Sequence, residues 1–152
     1  MVLRVALVLA MAALLAAPTG GLAGAAAGAT GSGNVIVLAP HHLRFGRVPV
    51  GTLVTMTALV VNRSRRTVLV AVEQFTVPDD FSPQQSESTC KLAADGGSSL
   101  APGQSCSEVV LFSPIEFFAG RRERGTIPIS ATDPQSGALL ELETLKLSGT
   151  GI

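Results

Sequence analysis

No tryptophan and no tyrosine occur in this chain, and histidine and cysteine appear only twice each. The missing rings are those on which carbohydrate-binding sandwiches stack their sugars, so a lectin role is disfavoured. The two histidines are neighbours, His41 and His42; on an extended chain they point to opposite faces and cannot chelate one metal as a simple pair. With no third histidine, no Ser/His/Asp or Cys/His constellation is in sight, and an ordinary hydrolase is rejected. Neither metal nor cofactor is expected. An excess charge of one sign is lacking too: eleven basic and eleven acidic side chains cancel, so no net field draws the protein to nucleic acid or to an anionic membrane. The adjacent carboxylates Asp79 and Asp80 have no convergent partners and read as a turn rather than a calcium site or a glycosidase pair.

What is present begins with a leader-like segment. Arg4 precedes an uninterrupted apolar run from Val5 to Ala17, and small residues follow from Gly20 to Gly33, the layout of a secretory signal. As a helix the run spans roughly 20 Å, short of the ~30 Å hydrocarbon core. Residues 1–29 are therefore read as a signal helix with its cleavage region, and no stable membrane span is expected after cleavage. An uncleaved N-terminal anchor is the alternative reading. No cysteine follows the run, so a lipoprotein anchor has no attachment thiol. Cys90 and Cys106 both lie in the part that would be exported, and a disulfide between them is expected; two buried free thiols are the alternative.

Beyond a short linker at 30–34, short Val-, Ile-, Leu- and Thr-rich stretches alternate with Gly, Pro, Asp and Ser clusters, and no helical period appears. The reading is an all-β, immunoglobulin-like two-sheet sandwich of about seven strands over 35–152. Candidate strands are Val35–Leu38, Leu43–Phe45, Thr52–Asn62, Thr67–Phe75, Ser105–Phe112, Gly125–Thr132 and Leu139–Leu147. The third is expected to be central and to pair antiparallel with the fourth through a polar hairpin at 62–66. Pro40 is expected to split an edge strand, and Pro128 to mark another edge. Alternation in Ser105–Phe112 places Cys106, Glu108, Val110 and Phe112 on one side. If that side is the core, Glu108 is the misfit, and a position near a sheet end or opposite a basic side chain is expected. Asn62-Arg63-Ser64 matches a glycosylation acceptor pattern but sits in a turn, and is discounted.

The series Leu43-x-Phe45-Gly46-x-Val48-Pro49-Val50-Gly51-Thr52, Val61-Asn62-x-Ser64, Asp80-Phe81, Leu100-Ala101-Pro102-Gly103-Gln104-Ser105-Cys106, Phe112-Ser113-Pro114, Gly120-Arg121 and Leu147-Ser148-Gly149-Thr150-Gly151 resembles the choice-of-anchor D and Hydin-type immunoglobulin-like domains. The resemblance implies a major-sperm-protein-like β-sandwich of an exported bacterial branch, and for function it implies little. Glu108, where the family usually has an apolar residue, and Ile115-Glu116-Phe117-Phe118 depart from the pattern.

Phe117-Phe118 is the most informative local feature. Consecutive aromatics in a turn cannot easily both enter a core, and Arg121, Arg122 and Arg124 follow closely, so these five residues form a candidate partner surface. The bland reading has one ring capping the sandwich and the other lying flat on it. The function expected is a non-enzymatic interaction or structural module of the cell envelope or extracellular space, with an unidentified protein partner bound on the sandwich surface or at an unpaired strand edge. A membrane-held spacer, or an accessory or ligand-carrying domain, is the alternative.

Overall fold

The structure, a computed structural model, describes residues 33–74 and 77–152; the signal segment read from the sequence lies outside the described residues. Among the described residues nine strands form two sheets: β1 Ile36–Ala39, β2 His42–Val48, β3 Val54–Asn62, β4 Val68–Val72, β5 Phe81–Pro83, β6 Ser98–Leu100, β7 Ser105–Phe112, β8 Arg122–Thr132 and β9 Leu139–Gly151. The first sheet has the order β1-β3-β7-β5 and the second β2-β9-β8-β4-β6. The architecture is the immunoglobulin-like sandwich expected. The two strands beyond seven, β5 and β6, are three residues each and lie in a stretch too short of apolar anchors to announce them.

Period-two alternation sets the core. Ala58 and Val60 of β3 are fully buried while Thr57 and Leu59, which alternate with them, are exposed. Val68, Val70 and Val72 face them from the other sheet, with Ile127, Ile129, Leu145 and Leu147 alongside. Phe45, Phe81 and Phe112 pack as a trio with ring centroids 4.8–5.8 Å apart. As expected, β3 is central, and the chain breaks at Pro40. There it also changes sheets: β1 pairs antiparallel with β3, whereas β2 runs parallel to β9.

Three expectations are corrected. First, β3 and β4 do not form a hairpin; both flanks of β3 are taken by β1 and β7, and β4 pairs with β6 and β8. The 63–67 connection crosses between sheets because the valines of both strands pack face to face across the core. Asn62, fully buried, fastens the crossing: its amide donates to the carbonyls of Arg66 and Leu100, and its oxygen accepts from the Ser64 amide and hydroxyl. That nitrogen is inaccessible to a glycosyl donor. Second, Pro128 lies in an interior strand. It is tolerated because the β4 ladder ends at the Val72–Ile129 pair, one residue earlier, and the Pro128 carbonyl accepts from the Glu73 amide beyond it. Third, Glu108 sits mid-strand opposite Ala58 and inside the sandwich, with neither a sheet end nor a cation beside it. The small Ala58 side chain leaves room for it, and Gln85 Nε2 approaches its Oε1 at 3.4 Å. Oε2 has no partner. Burial pushes this carboxyl up to about 7, the Ser88 hydroxyl drawing it partly back.

Cys90 and Cys106 form a disulfide, both nearly fully buried. The bond fastens the irregular 84–97 segment, which borders β7, to the inner face of that strand. Asp79 and Asp80 form a turn, closed by the Phe81 amide donating to the Pro78 carbonyl.

Candidate functional site

At one end of the sandwich the loops after β7 and before β3 are tied together. The Gly51 amide donates to the Pro114 carbonyl, and the Gly120 amide to the Gly151 carbonyl. The Ile115 amide additionally reaches the buried Asp80 carboxylate at 3.4 Å. Burial, with Asp79 adding to it, raises the Asp80 carboxyl above its ordinary value, and that amide contact opposes the rise. On this support a single 3-10 turn, Glu116–Phe118, lifts Phe117 into solvent with 81% of its surface exposed. Phe118 lies edge-on to it, centroids 5.0 Å apart, and the Arg121 guanidinium lies 5.7 Å over the Phe118 ring. Leu53 and Ile115, carried by the two tied loops, are also exposed, by 66% and 46%. The arrangement is an apolar protrusion with a cation beside it.

The five residues singled out in sequence do not form one cluster. Phe117, Phe118 and Arg121 occupy this end, whereas Arg122 and Arg124 point outward from β8, on the solvent face of the second sheet. There the fold adds Arg44 and Arg47 from β2 and Lys146 from β9, which sequence reasoning missed. Cross-strand register sets them in rows: Arg47, Thr150 and Arg122 in one, Arg44, Ser148 and Arg124 in the next, His42, Lys146 and Thr126 in the third. Residues 44 and 47 are three apart and would face opposite ways on a regular strand. A bulge between Arg44 and Gly46, with Gly46 at φ +72°, turns both outward. Arg44, Arg47, Arg122, Ser148 and Thr150 line a hollow of about 280 Å³.

A Ser–His pair also emerges that the sequence did not foretell, since its members are 106 residues apart: His42 Nε2 lies 2.9 Å from Ser148 Oγ. Its orientation is wrong for catalysis. Arg44 Nε donates to His42 Nδ1 at 3.3 Å, so the ring proton of the neutral imidazole resides on Nε2 and points at Ser148. A general base needs the reverse tautomer, held by a carboxylate on Nδ1. Burial, followed by the charges of Arg44, His41, Lys146 and Arg122, holds His42 below the usual histidine range. Among the described residues no group of three or more His, Cys, Asp or Glu side chains could hold a metal ion, and no helix is long and apolar enough to cross a membrane. A second hollow, of about 630 Å³, is walled by Val72, Pro83 and Leu92, and Gln85 separates it from Glu108.

No protein-family model and no curated protein matches this sequence. Solved structures do resemble the fold. The PapD-like domain 7 of human CEP192 superposes with a TM-score of 0.59 at 11% identity, over 78% of this chain and 85% of that one. The Vibrio cholerae VesB protease gives 0.52 at 18% identity, over 77% of this chain and 32% of that one. The Salmonella enterica SafA pilin in complex with the SafB chaperone gives 0.51 at 15% identity, over 76% and 54%. This chain thus spans about a third of the protease chain and half of the chain matched in the pilin complex. What these likenesses establish is the immunoglobulin-like sandwich fold.

Proposed function

We propose that this chain is an exported, non-enzymatic interaction module of the cell envelope or extracellular space, which docks a protein partner through the sandwich end bearing Phe117. The observation that carries the reading is the Phe117 ring, held 81% exposed on a turn anchored from below by Asp80 and flanked by exposed Ile115 and Leu53. A large aromatic kept out of a core that already holds three phenylalanines is an anchor for another surface. Sandwiches of this fold occur in a pilin–chaperone complex, which supports protein contact as the use of the scaffold. Strand addition is the weaker mode here. The edges β1, β5 and β6 have four, three and three residues, and β2 is bulged and carries arginines, all features that blunt an edge.

Two measurements test the reading. The intact mass of the native protein, with thiols alkylated before and after reduction, is expected to start between Ala26 and Thr30 and to take up alkyl groups only after reduction. A full-length, membrane-retained mass with two free thiols overturns the export reading. A photo-crosslinker at position 117 is expected to capture one partner, lost on Ile115→Ser, whereas one at Thr57 on the opposite sheet captures none. Equal capture at both positions overturns the docking end.

A further inference from the structure

We infer that the partner presents an extended acidic segment, which lies along the outer face of β2, β9 and β8 with its carboxylates over the arginine rows. The inference rests on the docking reading and adds the chemistry of what is docked. Arg44, Arg47, Arg122, Arg124 and Lys146 gather on three adjacent strands, and among the described residues the only ion pair is Arg66–Asp133, elsewhere on the surface. The carboxylates on the same strands do not neutralise them: Glu123 pairs in register with Gly149, Glu141 with Ala131 and Glu143 with Ile129, all positions of the alternate, inward set. Like charges on neighbouring strands repel, and a fold that keeps five together on one face invites an external anion.

Spacing and surroundings select the anion. Rows two residues apart along a strand are about 6.7 Å apart, and β2 and β8, one strand removed from each other, are about 9.6 Å apart. Carboxylates at alternate positions of an extended peptide repeat at that same row spacing, and guanidinium forks grip carboxylates in pairs. The hydroxyls of Ser148 and Thr150, between the arginines in the hollow, can donate to the carboxylate oxygens left over. Phosphate and uronate polymers carry comparable charge spacings, but two observations favour protein. The first row runs directly into the apolar end, because Gly151, next to Thr150, accepts from Gly120 just after the Phe117 turn; a protein segment supplies apolar side chains for that end and a polyanion does not. The absence of tryptophan and tyrosine from the whole chain also removes the rings on which carbohydrate-binding sandwiches stack their sugars.

The test uses the processed, disulfide-closed protein and a fluorescent ten-residue peptide of alternating Glu and Ser, followed by anisotropy across salt concentrations and by the NMR shift of the His42 ring, which lies among the cations. Expected are saturable binding that weakens with salt, an upward shift of the His42 titration with peptide bound, and a loss of at least tenfold in affinity in the Arg44→Gln/Arg122→Gln double variant. Arg66→Gln, away from the face, is expected to bind as wild type. Affinity unchanged in the double variant, or polyphosphate or an oligouronate binding more tightly than the peptide, overturns the inference. So does a double variant that still captures the crosslinked partner as wild type does while Ile115→Ser does not, and in that case the docking end itself stands.

Discussion

Below pH 7 the Glu108 carboxyl keeps its proton inside the sandwich, whereas the unfolded chain releases it near 4.5. A raised folded value means that the native state binds the proton more tightly. The stability this confers is complete below about 4.5, declines between there and about 7, and is gone above it. The difference corresponds to roughly 3 kcal/mol. Urea unfolding is therefore expected to show a lower midpoint at pH 8 than at pH 5, with Glu108→Gln abolishing most of the difference; equal midpoints in the wild type would count against the buried acid. Asp80, raised by burial as well, adds a trend of the same sign that begins in the ordinary carboxylate range. A second residue-scale expectation concerns Gly149. A Cβ there would lie 2.5 Å from the Phe112 ring, so Gly149→Ala should cost about 1–3 kcal/mol in thermal or urea unfolding by overpacking. The terminal Leu-Ser-Gly-Thr-Gly series was legible as a motif, and this close approach is its physical reason. The Cys90–Cys106 pairing was legible too, because thiol count is a local signal, and consecutive aromatics marked Phe117-Phe118 without saying which ring would be exposed. Arg44 and Arg47 were not, since only the bulge at Gly46 brings them to one face, and no local signal links His42 to Ser148.

At the scale of elements, alternation located the seven longer strands, because each buries one face and wets the other. It said nothing about which flank each strand offers to a neighbour, and so the β3–β4 hairpin was expected where a crossing exists. β5 and β6 escaped because three residues are too few to show a period, and pairing with longer strands holds them in place. The disulfide compensates for this weakness in the 84–97 segment. Closing a loop of that length is worth about 3 kcal/mol in the chain-entropy model. The Cys90→Ala/Cys106→Ala variant should lose about that amount. Hydrogen exchange should speed up selectively between residues 84 and 97, while β8 and β9 keep their protection until global unfolding. Uniform acceleration along the chain would show instead that the bridge acts on the domain as a whole.

For the molecule as a whole, β9 is the keystone, a thirteen-residue strand paired with β2 on one side and β8 on the other. A chain ending at Gly137 loses both pairings and the buried Leu145 and Leu147, and circular dichroism of such a truncation should show no cooperative thermal transition; a sharp transition would show that the first sheet folds alone. The overall architecture was readable from the rhythm of strands and turns, whereas the parallel β2–β9 pair, joining residues over a hundred positions apart, was not. That pair bears on the way the chain is made. A polypeptide emerging N-terminus first has its β2 strand waiting without a neighbour until β9, about a hundred residues later, has been delivered. The second sheet cannot close before then, so the two-sided core it shares with the first sheet is among the last parts of the domain to set.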